Sequence, residues 1–241
     1  MSLTIGEFDG FPADAFAFFA ELTDDGNNSR AWFDANRERY ERSVRLPMEE
    51  LLASVADRYG DDGKVFRPNR DVRFSPDKRP YKTHCGAVIG FRDGTQRASR
   101  YLHVDAEGVL VAAGYHELSR DQRDRFRRAV DDGRTGGALV RAVGAVRDAG
   151  LEVAGSELKR APRGYPVDHP RIELLRHLRL TAQRRFPVGT AGLHDPAARD
   201  LVVDTWEASA PLCRWLEKHV GAAAEAPRPR GGGPPASAGR P

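Results

Sequence analysis

The chain has 241 residues, 40% of them hydrophobic and 30% charged, with a formal net charge of +3 and a pI near 9.0. This is enough apolar content for one large core, and too much for a disordered chain. No apolar run approaches the roughly 18 residues of a membrane span, and the opening Met1–Asp9 stretch has neither the basic nor the apolar region of a signal peptide. These features point to the cytoplasm and to no membrane partner.

Arginine outnumbers lysine 33 to 5, so the high pI reflects coding bias as much as function. The distribution of charge says more. Residues 1–62 carry a net −8, residues 64–82 a net +5, and residues 158–185 a net +6. Such segregation creates local fields that attract anions. The two cysteines, Cys85 and Cys213, lie far apart and read as buried thiols.

In chain order, Phe11, Ala15, Phe18, Phe19 and Leu22 recur at helical spacing after Pro12. Asn28 or Ser29 can cap a second helix bearing Trp32, Phe33, Asn36, Tyr40 and Val44, and Pro47 opens a third with Leu51, Leu52, Val55 and Tyr59. The period then changes. Val65-Phe66 and Val72–Phe74 read as extended pieces, and Cys85–Phe91 as a buried strand. Arg92–Thr95 forms a turn, Arg100–Asp105 alternates, and Val109–Tyr115 returns, giving a meander. With Glu107-Gly108 central to the second turn, His103 faces Ala112.

Ser119-Arg-Asp-Gln122 is a capping box, followed by Phe126 and Val130 on one helical face. Ala138–Ala149 reads as a small-residue helix ended by Gly150. Val153 and Leu158 flank a short hairpin around Ala154-Gly-Ser156. Pro170–Phe186 reads as a helix with Ile172, Leu175 and Leu178 inward. Asp195-Pro196 starts a further helix with Leu201, Val202 and Trp206, and Pro211 restarts it before Leu212, Trp215 and Leu216. The expected architecture is a single α+β domain over residues 1–220. Its central antiparallel sheet has at least three strands in a meander, covered by helices from the N- and C-terminal halves. Residues 221–241, rich in Pro, Gly, Ala and Arg, read as a disordered tail.

The segment Arg70–His84 stands out, because two prolines stiffen a run dense in cations and aromatics. Arg70, Arg73, Lys78 and Lys82 suit a phosphate or carboxylate ligand, and Tyr81 can stack on a base or sugar. Leu158–Pro170 repeats this chemistry with Lys159, Arg163 and Tyr165, which suggests that the two loops meet over one pocket. If a reaction occurs, Asp71, Asp77 and His169 are the general acid/base candidates.

Asn27-Asn28, Trp32-Phe33, Asn36-Arg37, Arg70-Asp-x-Arg-Phe74, Asp77-Lys-x-Pro-Tyr-Lys82, Gly114-Tyr115, and Leu158-Lys-x-x-Pro-x-Gly-Tyr165 with His169-Pro170 resemble the bacterial and fungal family of domain of unknown function 2461. The resemblance runs from about Phe11 to His219. It implies one cytoplasmic-type domain, brings no established activity or cofactor, and coincides with both basic loops.

Other chemistries are weaker. His84, His103 and His116, with Asp105 and Glu117, hold metal-ligand atoms, but the expected hairpin register keeps His103 from His116, so they read as sheet-surface histidines and no metal is expected. Cys85 has His84 as its sequence neighbour, which points to the opposite face of a strand. There is no Gly-x-Ser-x-Gly elbow and no phosphate-binding glycine loop. The leading expectation is an anionic small-molecule ligand, phosphorylated or carboxylated, or a nucleotide. The alternatives are a nucleic-acid-binding module and a structural or interaction protein whose charges pair internally. Oligomeric state is not encoded in any of these features.

Overall fold

The computed structural model describes residues 6–24, 26–60, 62–90, 98–155 and 157–224. Its N-terminal helices follow the apolar spacing. Helix α1 (Ala13–Thr23) begins after Pro12 and buries Ala15, Phe16, Phe18, Phe19 and Leu22. Helix α2 (Arg30–Ala35) is capped by Ser29, whose side chain accepts a bond from the Trp32 amide. Helix α3 (Arg37–Tyr40) runs through a π-helical turn, Glu41–Arg45, into α4 (Leu46–Tyr59). Gly60, with φ 61°, closes α4 in the left-handed conformation that glycine adopts without strain.

The sheet has six described strands: β1 (Lys64–Val65), β2 (His84–Ile89), β3 (Ser99–Asp105), β4 (Gly108–Tyr115), β5 (Glu152–Ala154) and β6 (Leu180–Pro187). They pair antiparallel in the order β1-β2-β3-β4-β6-β5. The meander β2-β3-β4 lies at its centre, as the alternating sequence implied. The turn expected at Arg92–Thr95 lies outside the described residues.

Helices α5 (Arg120–Asp131) and α6 (Gly133–Asp148) follow β4. The Ser119–Gln122 capping box forms, and Asp132 caps α6 through the Arg134 and Thr135 amides. Helix α7 (Ile172–Arg176) is short, and α8 (Ala198–Ala208) and α9 (Ala210–His219) are the last of the described elements, with a proline in the first turn of α9.

Four local expectations change. Val72–Phe74 is not extended, because Arg73 and Phe74 lie in a turn closed by Ser75 N to Val72 O. Pro170–Phe186 is not one helix: α7 stops at His177, whose backbone is extended, and β6 follows. Leu180, Ala182 and Phe186 are buried and alternate with Thr181, Gln183 and Arg185, a two-residue period that pairing with β4 and β5 enforces. Val153 and Leu158 do not close a hairpin on themselves. β5 pairs with β6, the chain continues so that Glu157 bridges His177, and Leu158 N donates to Arg176 O.

The β3–β4 turn is centred on Ala106-Glu107, which sets His103 opposite Leu110 rather than Ala112. Gly108 is needed in the strand instead, because a Cβ there would fall on the Phe186 carbonyl of β6. The Asp105 side chain accepts from the Glu107 and Gly108 amides and holds the turn.

The core forms two clusters against the sheet. One joins α1–α4 and α8 to β2–β4. The other joins α5, α6, α7 and α9 to Tyr115, Leu180 and Ala182. The sheet residues in both clusters share one parity: Cys85, Ala87 and Ile89; Leu102 and Val104; Val109, Val111 and Ala113; Leu180, Ala182 and Phe186. Helices from both halves therefore cover one face of the sheet. The opposite parity carries His84, Tyr101, His103, Asp105, Leu110, Gln183 and Arg185, all half-buried, and belongs to neither core cluster.

Residues 221–224, expected to begin a disordered tail, are tied to α5 and to the end of β4. Gln122 and Tyr115 donate to Gly221 O, Arg125 donates to the Val220 and Ala222 carbonyls, and the Ala224 amide donates to Asp121. The remainder of that expectation, residues 225–241, lies outside the described residues.

Candidate functional site

The first basic loop is a braced extension between β1 and β2. Its backbone closes through Arg70 N to Pro80 O at 2.8 Å and Lys82 N to Pro68 O at 2.9 Å, with an Asn69–Tyr81 bridge. Asn28, buried at 5% exposure, clips it from below. Its side-chain amide donates to Tyr81 O and its carbonyl oxygen accepts from Tyr81 N, both at 3.1 Å. The Asn28 side chain thus acts as a strand neighbour, and Ser29 alone takes the capping role.

Tyr81 is turned inward. It is 4% exposed and stacks on Phe33 with centroids 4.0 Å apart and an 11° interplanar angle, so a stacking role toward ligand is replaced by one in the core. Toward the tip, the loop pairs its own charges. Asp77 binds Arg70 at 2.6 Å and Arg79 at 2.8 Å, and Asp71 binds Arg73 at 2.7 Å. Lys78 Nζ donates to Val72 O, and Phe74 stands 91% exposed.

The hydrogen bonds from Arg73 hold the Asp71 carboxyl down at about 2, and those from Arg79 and Arg70 hold Asp77 well below the usual range. Carboxylates so occupied are poor proton acceptors near neutral pH.

The second basic loop leaves β5 at the opposite edge of the sheet. Five strand spacings separate β1 from β5, on the order of 24 Å. Lys159 and Arg163 are exposed, while Tyr165 is half-buried and edge-on to His169. His169 bonds Asp131 through Nε2 at 3.1 Å and accepts from the Arg171 amide at Nδ1, and Arg171 donates to the Val130 and Asp131 carbonyls. His169 Nε2 and the Arg171 guanidinium thus fasten the loop to the end of α5, while Nδ1 holds the local turn. The fold sets the cations of the two loops at opposite ends of the sheet.

The root of the first loop borders a different cluster. On the face that joins neither core cluster and is uncovered by helices among the described residues, His84 lies beside three alternate residues of β3, Tyr101, His103 and Asp105, with Lys82 acting on His84 from the end of the loop. His103 Nδ1 meets the Tyr101 hydroxyl at 3.1 Å, and Nε2 meets Asp105 Oδ2 at 3.1 Å. Arg185, from β6, grips both oxygens of Asp105 at 2.9 and 3.0 Å. The His84 and His103 rings lie 5.0 Å apart. Tyr101 lies across Gly86, where any Cβ would collide with its hydroxyl. Lys82 Nζ donates to Arg67 O at 2.9 Å and sits 5.7 Å over the Phe66 ring.

Burial raises the Asp105 pKa, but the bonds from His103, Arg185 and the Glu107 amide overcome it and hold the carboxylate ionised. Its charge is therefore already matched. Burial, then the adjacent His103 and Lys82, push His84 down to about 4, so it is neutral at pH 7. Burial also lowers Lys82, with Arg67 adding to the effect, and raises Tyr101 to about 12. The result is a half-buried surface where a lysine and a neutral imidazole lie beside a carboxylate already paired with Arg185.

Among the described residues, no group of three or more His, Cys, Asp or Glu is placed to hold a metal, and His116 lies exposed. Cys85 faces the core, bonded to the Tyr40 hydroxyl, with burial raising its thiol to about 11. Among the described residues, no helix is long and apolar enough to cross a membrane.

Of the residues expected from the sequence to bind an anion, Lys82 alone borders this cluster. His84, His103 and Asp105 were weighed there as metal ligands. Tyr101 and Arg185 were missed; the alternation Tyr101-x-His103-x-Asp105 on one strand could have flagged the first, while Arg185 was hidden in a supposed helix.

The family model described as a conserved hypothetical protein, DUF2461, matches residues 14–215, and the chain belongs to this family. No curated protein and no solved structure matches the chain.

Proposed function

We propose that this member of the DUF2461 family binds an anionic small molecule, phosphorylated or carboxylated, on the uncovered face of its sheet. Lys82 and His84 form the seat beside the Tyr101–His103–Asp105–Arg185 chain. The observation that supports the reading is the closeness of His84, with Lys82 acting on it, to a His103–Asp105 pair whose carboxylate Arg185 already neutralises. Arg70, Arg73 and Lys78 serve to stiffen the loop that presents Lys82, and Asp71, Asp77 and His169 act as anchors rather than acid/base groups. Lys159, Arg163 and Tyr165 lie outside the seat. Should the bound molecule react, His103 could accept the Tyr101 hydroxyl proton while Asp105 holds its other nitrogen, leaving Tyr101 as the group that meets the molecule.

The test is thermal stabilisation of the full chain by inorganic phosphate, sugar phosphates, nucleotides and simple carboxylates. A ligand selective for the native state raises the midpoint with its concentration over its dissociation constant. Lys82→Ala is expected to fold and lose the response. A Lys82→Ala/His84→Gln double variant that responds like the parent overturns the reading.

A second reading is a single-stranded nucleic acid lying across the strands. It is favoured by Phe66 and Tyr101 flanked by Lys64 and Lys82, since aromatic platforms and cations on a sheet suit stacked bases and phosphates. A steep fall of affinity with salt and a preference for oligonucleotides over mononucleotides distinguish it.

A further inference from the structure

We propose that the seat takes a doubly charged anion, a phosphate monoester rather than a carboxylate, and that His84 takes up a proton as the anion binds. The inference rests on the anion-binding reading above and specifies its ligand and its coupling to pH.

The geometry singles out His84 among the histidines of this face. Both nitrogens of His103 are engaged, by Tyr101 and Asp105. His84 has no hydrogen-bond partner among the described residues, and its ring lies 5.0 Å from that of His103. The charged and titratable groups around it are Lys82 just before its strand, and His103 and Asp105 on β3, with Tyr101 held by His103, Arg67 acting on Lys82, and Arg185 reaching in from β6 to Asp105. Lys82 supplies a permanent cation whose ammonium already donates to Arg67 O but has two further protons. A single negative charge is answered by Lys82 alone. A second is answered when a His84 nitrogen binds a proton and donates it to the anion, whose charge offsets the burial, and the lesser repulsion from His103 and Lys82, that keep the empty seat's imidazole neutral. The depressed His84 value in the empty protein is the state this coupling requires.

Sulfate is the direct probe, because it keeps two charges across the neutral and mildly acidic range, and acetate is the singly charged control. Titration calorimetry on the full chain is expected to give sulfate affinity that rises from about pH 7.5 to about pH 5.5, approaching about tenfold per pH unit where one proton is taken up. Heats measured in buffers of different ionisation enthalpy are expected to report that proton. His84→Gln is expected to flatten the pH dependence while keeping residual binding through Lys82, and acetate to bind more weakly with a shallower slope. Sulfate binding that is independent of pH, or a slope unchanged in His84→Gln, overturns the coupling while leaving the anion site intact. An absence of sulfate, phosphate and phosphate-ester binding at every pH overturns the anion site itself.

Discussion

The two faces of the sheet are built to opposite rules. The covered face is a continuous apolar layer from Cys85 to Phe186, sealed by helices from both halves of the chain. The other carries a hydrogen-bonded polar chain, from Tyr101 through His103 and Asp105 to Arg185, with Lys82 and His84 beside it. Alternation along each strand makes this division automatic, because one residue's step moves a side chain to the other face. The difference teaches that stability and recognition are separable here, strand by strand, and substitutions should sort accordingly.

The largest effect is expected on the covered face. Trp206, 2% exposed, fills the space between α8 and β3, packs edge-on against Tyr59 and donates to Tyr101 O. Trp206→Ala should cost about 3–5 kcal/mol in denaturant unfolding. Next comes the clip between helix layer and loop: Asn28→Ala leaves the buried Tyr81 amide and carbonyl without partners, an expected loss of about 2–4 kcal/mol.

Arg185→Ala tests the border between the two rules. It leaves Asp105 half-buried with His103 and two amides only, and should cost about 1–2 kcal/mol. A value near zero would show that the polar chain carries no structural weight.

Acid should reach the uncovered face through His84. Its folded-state value is depressed, so below the unfolded value of about 6.5 the unfolded chain binds a proton that the folded chain refuses. The folded state is thus penalised as pH falls from about 6.5 to about 4, by about 1–2 kcal/mol after allowance for solvent screening. His84→Gln should remove that part of the acid sensitivity in thermal melts at several pH values. The smallest stability effect belongs to Lys82→Ala, within about 0.5 kcal/mol, together with loss of anion stabilisation.

Much of this division was legible in the sequence, and the exceptions have physical causes. The Ser119–Gln122 box and the β2–β4 meander follow from local chemistry, which needs no distant partner. β6 was not legible as a strand, since Leu175 and Leu178 continue a helical spacing and the two-residue period starts only at Leu180; pairing with β4 and β5 decides it. Tyr81 looked like a ligand platform because it sits among cations, yet a buried aromatic needs a partner ring, and Phe33 lies 48 positions away in the chain. The basic loops looked equivalent by composition. Their distance depends on strand order, which places β1 and β5 at opposite edges.

The most direct measurement is the imidazole region of the nitrogen–proton correlation spectrum of the full chain, followed as phosphate is added near neutral pH. An anion seat on the uncovered face predicts that the His84 and His103 resonances move together and saturably, while His169, on the far loop, stays in place. Movement of His169 with His84 and His103 unchanged would contradict it and return the site to the second basic loop.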